Sequence, residues 1–225
     1  MLPLNKLYHM DCMDGMRQFP NGYFDLAIVD PVYGGVTQGG YMSEKTRGKR
    51  LGKGKIKQLE YHCGLWNQGK TQNDYFAELF RVSKNQIIWG GNYFTDSLPP
   101  SQCWIVWDKK RAEGINFAEC ELAFTSFDVH AKMFRYKWDG FLQENMKEKE
   151  ARIHPTQKPV ALYKWLLTNY AKEGDKILDT HVGSASSLIA CHDLHFDFIG
   201  FELDETYYKA AKERMEQHFA QYTLF

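Results

Sequence analysis

Short apolar runs alternate with helix-period segments along most of the chain, and this alternation restricts the fold more than any other feature. The β-like runs are FDLAIV (Phe24 to Val29), QIIWG (Gln86 to Gly90), CWIVW (Cys103 to Trp107), CELAFT (Cys120 to Thr125), KILD (Lys176 to Asp179) and FIGFE (Phe198 to Glu202). Helical periodicity covers Asp74 to Val82, Val160 to Ala171, Ser187 to Leu194 and Asp204 to Phe219. Strand, helix, strand repetition predicts an α/β fold, a mostly parallel sheet with helices on both faces. With 225 residues and no Pro/Ser-rich linker, one domain spanning 1–225 is expected.

Ligands of such sheets bind beyond the carboxyl ends of the strands, where the strand order reverses. Three strands are followed there by polar segments. FDLAIV leads into DPVYGG (Asp30 to Gly35), KILD into THVGSASS, and FIGF into Glu202. Asp, Pro and paired Gly are ordinary turn residues, but a carboxylate, a proline carbonyl and a tyrosine at a strand end also suit a catalytic edge. The small residues after Asp179, including Gly183, Ser184 and Ser186, let the backbone approach a ligand closely at the start of a helix. Glu202 lies nineteen residues beyond Gly183, a spacing that suits hydrogen bonding to ribose hydroxyls as well as a helix start. The dinucleotide pattern G-x-G-x-x-G is absent, which directs the reading to a nucleoside such as S-adenosylmethionine. HPTQKP (His154 to Pro159) places Thr156 and Lys158 between two prolines before a helix, more restraint than a helix entry requires.

Charge and cysteine content narrow the classes further. Twenty-eight basic residues balance 28 acidic ones, so polyanion affinity has to come from local clustering. Lys45 to Lys57 supplies such a cluster, with seven Lys or Arg and no acidic residue, and lies in a loop insertion at about 36–65. A solvated loop and a phosphate-binding loop both fit it, and a nucleic-acid enzyme favours the second. The five cysteines (Cys12, Cys63, Cys103, Cys120, Cys191) are odd in number and contain no CxxC pair, so reduced thiols are expected. No metal site is expected from His154, His181, His192 and His195, the last two being assigned to a helix surface. No apolar run reaches the length of a membrane span, and a cytoplasmic protein is expected.

These motifs together resemble the amino-group DNA methyltransferases of the beta arrangement, in which the catalytic motif precedes the cofactor motif. DPVY is similar to the family's D-P-P-Y, HPTQKP matches its tenth motif, and LDTHVGSASS resembles its L-D-P-F-x-G-S-G-T loop. YHMDCMDGM resembles the segment supplying an acid near the cofactor's adenine, here Asp11. IIWGGNYFTDSLPPSQCWIVWDK followed by FAECELAFTSF is similar to small phage or prophage members. The departures are Val32 for the second proline, Thr180 and His181 for proline and phenylalanine, and Ala185 and Ser186 for Gly and Thr.

The resemblance implies a Rossmann-like methyltransferase fold and S-adenosylmethionine as cofactor. It implies Asp30, Pro31 and Tyr33 as catalytic residues, and Asp11, Thr156, Lys158, Asp179, His181, Gly183, Ser184, Ser186 and Glu202 as cofactor-binding ones. The implied reaction is methylation of adenine N6 in double-stranded DNA with a flipped target base, since Asp rather than Ser begins the catalytic motif. Cytosine-N4 methylation and a noncatalytic DNA-binding protein with a decayed cofactor loop are the alternatives. Lys49, Arg50, Lys53, Lys55, Lys57 and Arg135 are the expected DNA contacts. For Phe134, Tyr136 and Trp138, DNA contact and alternating packing on an edge strand both fit. A homodimer and a cognate restriction nuclease are further partners compatible with the family.

Overall fold

The computed structural model describes residues 1–33, 71, 73–111, 118–139 and 141–222. The basic run from Lys45 to Lys57 lies outside them. A central eight-stranded sheet is built from β1 (Lys6–His9), β2 (Phe24–Val29), β3 (Ser83–Trp89), β4 (Trp104–Asp108), β5 (Cys120–Thr125), β6 (Lys132–Arg135), β9 (Lys176–Asp179) and β10 (Asp197–Glu202). Its strand order is β1-β10-β9-β2-β3-β5-β4-β6. The first five strands in that order run parallel, β5 is antiparallel to β3 and β4, and β6 is parallel to β4. A separate hairpin joins β7 (Trp138–Asp139) to β8 (Leu142–Gln143).

Two apolar layers explain why these runs become strands. Leu26, Ile28, Ile87, Trp89 and Ile177 enter one layer, against α3 (Val160–Tyr170), α4 (Ser186–Asp193) and α5 (Glu205–Tyr222). Ala27, Val29, Ile88, Leu178 and Ile199 enter the other, against α1 (Cys12–Met16) and α2 (Asn73–Val82). Residues buried on both faces read as continuous apolar runs, the pattern of FDLAIV. The result is the α/β arrangement that the alternation predicts, Rossmann-like as the resemblance implies.

Connectivity locates the site. From β2 the chain passes through α2 to β3 on one side, whereas from β9 it passes through α4 to β10 on the other. β2 and β9 are neighbours, so the strand order reverses between them. Asp30 follows the last residue of β2 and Thr180 the last residue of β9, which brings DPVY and the small-residue loop to one crevice.

Candidate active site

At the carboxyl ends of these strands lies a cavity of about 360 Å³, lined by Asp11, Asp30, Lys158, His181, Gly183 and Glu202 among others. Five segments distant in sequence thus share one wall-to-wall space. Pro31, Tyr33, Thr156 and Ser184 also line it, whereas Asp179 and Ser186 are buried and do not line it.

On the β2 side the dominant interaction is an ion pair. The Lys158 ammonium, 3% exposed, donates to Oδ2 of Asp30. It also lies 3.4 Å from Oε2 of Glu121 and 5.4 Å above the Trp89 ring. Glu121 in turn accepts from the buried ammonium of Lys109. Asp30 Oδ1 is buried and has no hydrogen-bond partner among the described residues. Burial pushes the Asp30 carboxyl above its ordinary value, an effect that Lys158 offsets only in part. Burial acts against the charged forms of Lys158 and Glu121 as well, but their partners win: Asp30 and Glu121 hold Lys158 well above the usual range, and Lys158 and Lys109 hold Glu121 at about 2.

Tyr33 is set by aromatic packing. Its ring stacks on Tyr93 with centroids 4.6 Å apart and planes at 19°, and meets the edge of Phe94 at 6.4 Å. A Cβ on Gly90 would come within 2.9 Å of the Tyr33 ring, and Gly90 has φ +67°, so only glycine fits beneath it. The Val32 carbonyl accepts hydrogen bonds from Thr71 N–H at 2.9 Å and Thr71 Oγ1 at 2.7 Å, pinning the turn.

On the β9 side, Gly183 adopts φ +54° and donates its N–H to Glu202 Oε2 at 2.8 Å. The other Glu202 oxygen accepts from Asp204 N–H at 2.9 Å. Asp179 accepts from Ser187 Oγ and from His181 N–H at 3.0 Å, so it braces the loop from below, and burial pushes its carboxyl up to about 7. Arg214 of α5 donates to the Ser184 carbonyl at 2.7 Å and to Ser186 Oγ at 2.9 Å. Its second nitrogen binds Glu150 at 2.7 Å, and Glu150 also accepts from Val160 N–H at the start of α3. The two ligand-side motifs are therefore tied to one arginine.

Asp11 caps α1 through Met13 N–H at 2.7 Å. Thr156 Oγ1 lies 3.1 Å from His154 Nδ1. His181 Nδ1 lies 2.9 Å from Thr180 Oγ1, and its ring meets the edge of Tyr75 at 5.4 Å. Desolvation depresses both imidazoles, His154 to about 3 and His181 to about 4, so both are neutral near pH 7.

Lys158, grouped with the cofactor residues by its motif, is paired with Asp30, which the resemblance assigns to the catalytic set, and both line the same cavity. Lys49, Arg50, Lys53, Lys55 and Lys57 lie outside the described residues. Arg135 is exposed on edge strand β6, its guanidinium 3.5 Å from Asp108. Between the two readings of the neighbouring aromatics, the packing is what is observed: Phe134 and Tyr136 stack at 5.6 Å, Phe134 meets Trp165, and the buried Trp138 donates to the Gln157 carbonyl at 2.8 Å. Tyr93, Glu121, Lys109, Glu150 and Arg214 were not singled out from sequence. Tyr93, Lys109 and Glu121 fall in quoted motif stretches, but nothing local marks any of them as reaching the site.

The "DNA methylase" family model of the N6/N4 type matches residues 88–213. The chain belongs to this family. It is 32% identical over 171 residues to the type II methyltransferase M2.DpnII of Streptococcus pneumoniae, an alignment covering 68% of this chain and 60% of that one. The chain thus spans 60% of that relative's length. Among solved structures it resembles an M1.HpyAVI–SAM complex with TM-score 0.55 and 20% identity, covering 93% of this chain and 98% of that one. A cytosine-N4-specific PvuII DNA methyltransferase matches with TM-score 0.58 and 12% identity, covering 96% and 91%. These two likenesses concern the fold.

Proposed function

We propose that the chain transfers a methyl group from S-adenosylmethionine to the N6 amino group of adenine in double-stranded DNA. One observation carries the reading: a carboxylate oxygen, Asp30 Oδ1, is buried without a partner among the described residues while its twin is held by Lys158. An unpartnered buried acceptor is costly unless a ligand completes it. An exocyclic amino group, with two hydrogens and a delocalised lone pair, is a ligand that this acceptor would activate.

The cavity's other side suits the cofactor. Glu202 and Asp11 offer carboxylates for ribose and adenine groups, Thr156 and Ser184 offer hydroxyls, and positive-φ Gly183 presents backbone without a side chain. A Cβ there would also meet the His154 ring at 3.4 Å. S-adenosylmethionine supplies an electrophilic methyl carbon when bound. The chain's own residues do the rest: Asp30 Oδ1 and the Pro31 carbonyl accept the two amino hydrogens, which localises the nitrogen lone pair, and Tyr33, braced on Tyr93, stacks on the extruded base. Stacking of this kind is worth about 1–3 kcal/mol.

Asp at the head of the motif favours adenine over cytosine. Incubation with duplex DNA and S-adenosylmethionine, followed by digestion and mass spectrometry of nucleosides, tests the choice. N6-methyladenine is expected. N4-methylcytosine alone would reassign the base while leaving the amino-group chemistry in place.

A further inference from the structure

Glu121 and Lys109 are joined to Asp30 by contact only through Lys158 and lie outside the cavity lining. The four side chains form an alternating row, Lys109, Glu121, Lys158, Asp30, running from the end of β4 through β5 to the end of β2. Charges sum to zero along it. A simple ion pair would need only Lys158 and Asp30, and the second carboxylate, partly buried with its side chain 30% exposed, requires an explanation because withdrawing an anion from water costs free energy unless compensated.

Resting on the methyl-transfer reading, we propose that Glu121 is a positioning residue: it shares the Lys158 ammonium with Asp30, so that Lys158 anchors Oδ2 and leaves Oδ1 a full-strength acceptor for the amino hydrogens. Lys109 holds Glu121 in register behind it. Without Glu121, the whole Lys158 charge falls on Asp30. The carboxylate is then drawn toward the ammonium, away from the base, and its proton affinity drops.

Two effects of opposite appearance follow for Glu121→Gln. Single-turnover transfer at saturating cofactor and DNA falls by about tenfold to a hundredfold, the range set by misplacing a reacting group. The acid limb of its rate profile moves to lower pH, because the removed anion had opposed ionisation of Asp30. S-adenosylmethionine affinity stays unchanged, as Glu121 does not line the cavity. Glu121→Asp, which keeps the charge, recovers most of the rate.

The decisive readout does not depend on turnover. Titration of the Asp30 carboxyl carbon by NMR in wild type, Glu121→Gln and the double variant Lys109→Met/Glu121→Gln is expected to give a lower Asp30 pKa in both variants. The double variant removes the orphaned Lys109 charge, so folding is retained if the single variant fails. An unmoved Asp30 titration in a folded variant overturns the charge-sharing role, whether or not wild type methylates DNA. A wild type that transfers methyl beside a Glu121→Gln enzyme of equal rate overturns its catalytic consequence alone. Absence of transfer by wild type, with the Asp30 shift present, rejects the methyl-transfer reading while the charge sharing stands.

Discussion

Val32 sits where the family motif carries a second proline, yet the hydrogen bonds made at this residue run through its carbonyl, to both donors of Thr71. Proline keeps that carbonyl. Val32→Pro is therefore expected to change the single-turnover rate by less than about tenfold, an effect of under 1.4 kcal/mol; a gain of several orders of magnitude would show that valine cripples the site. His181 replaces a phenylalanine of the family loop, and its effect is on stability. Its folded pKa of about 4 lies below the usual 6.5, so the unfolded chain binds more protons between these values. The contribution is fully present above about pH 6.5 and is lost as pH falls toward 4. His181→Phe should remove this loss, so urea unfolding should show the variant gaining on wild type from pH 7 to pH 5, about 1.4 kcal/mol per unit of pH at most. The motif residues Asp30, Tyr33, Gly183 and Glu202 were legible because their chemistry is stated locally, at strand ends. Glu121 was not, since its value lies in a contact with Lys158 that only the sheet order creates.

The loop after β9 joins local geometry to long-range bracing. Gly183→Ala is expected to cost about 1–2 kcal/mol, because an L side chain is strained at φ +54°, and calorimetry should show weaker S-adenosylmethionine binding. Arg214→Ala removes two bonds to this loop and leaves Glu150 without its cation. A loss of about 2 kcal/mol in urea unfolding is expected, with cofactor affinity falling while the duplex affinity is retained. Strand and helix positions were readable to within a few residues: QIIWG became Ser83–Trp89, and the helix expected at Ser187 to Leu194 runs over Ser186–Asp193. Buried parallel strands announce themselves as continuous apolar runs. β1 and α1 do not, being four and five residues long. Short elements of this kind take their stability from packing, here of Tyr8 and Gly15 against Phe201, and not from periodicity.

At the scale of the molecule, the reversal between β2 and β9 is what converts separate motifs into a single cleft. The class of sheet and the place of the site followed from the alternation of elements, whereas the strand order β3-β5-β4-β6 did not, because antiparallel insertion of β5 leaves no local mark in CELAFT. Charge balance across the chain leaves DNA affinity to clusters, and the proposed phosphate contacts of Lys53, Lys55 and Lys57 carry a salt signature. Replacing all three by glutamine should reduce the slope of log affinity against log salt by up to about 2.7. The most direct test of amino-group activation by the cleft is single-turnover transfer to duplex DNA by wild type and Asp30→Asn, with cofactor binding measured in parallel. The arrangement around Asp30 predicts methylation by wild type and a drop of about a hundredfold to a thousandfold in the variant, with cofactor affinity kept. Equal rates in the two proteins, or a wild type that binds cofactor and DNA yet methylates neither adenine nor cytosine, would contradict it.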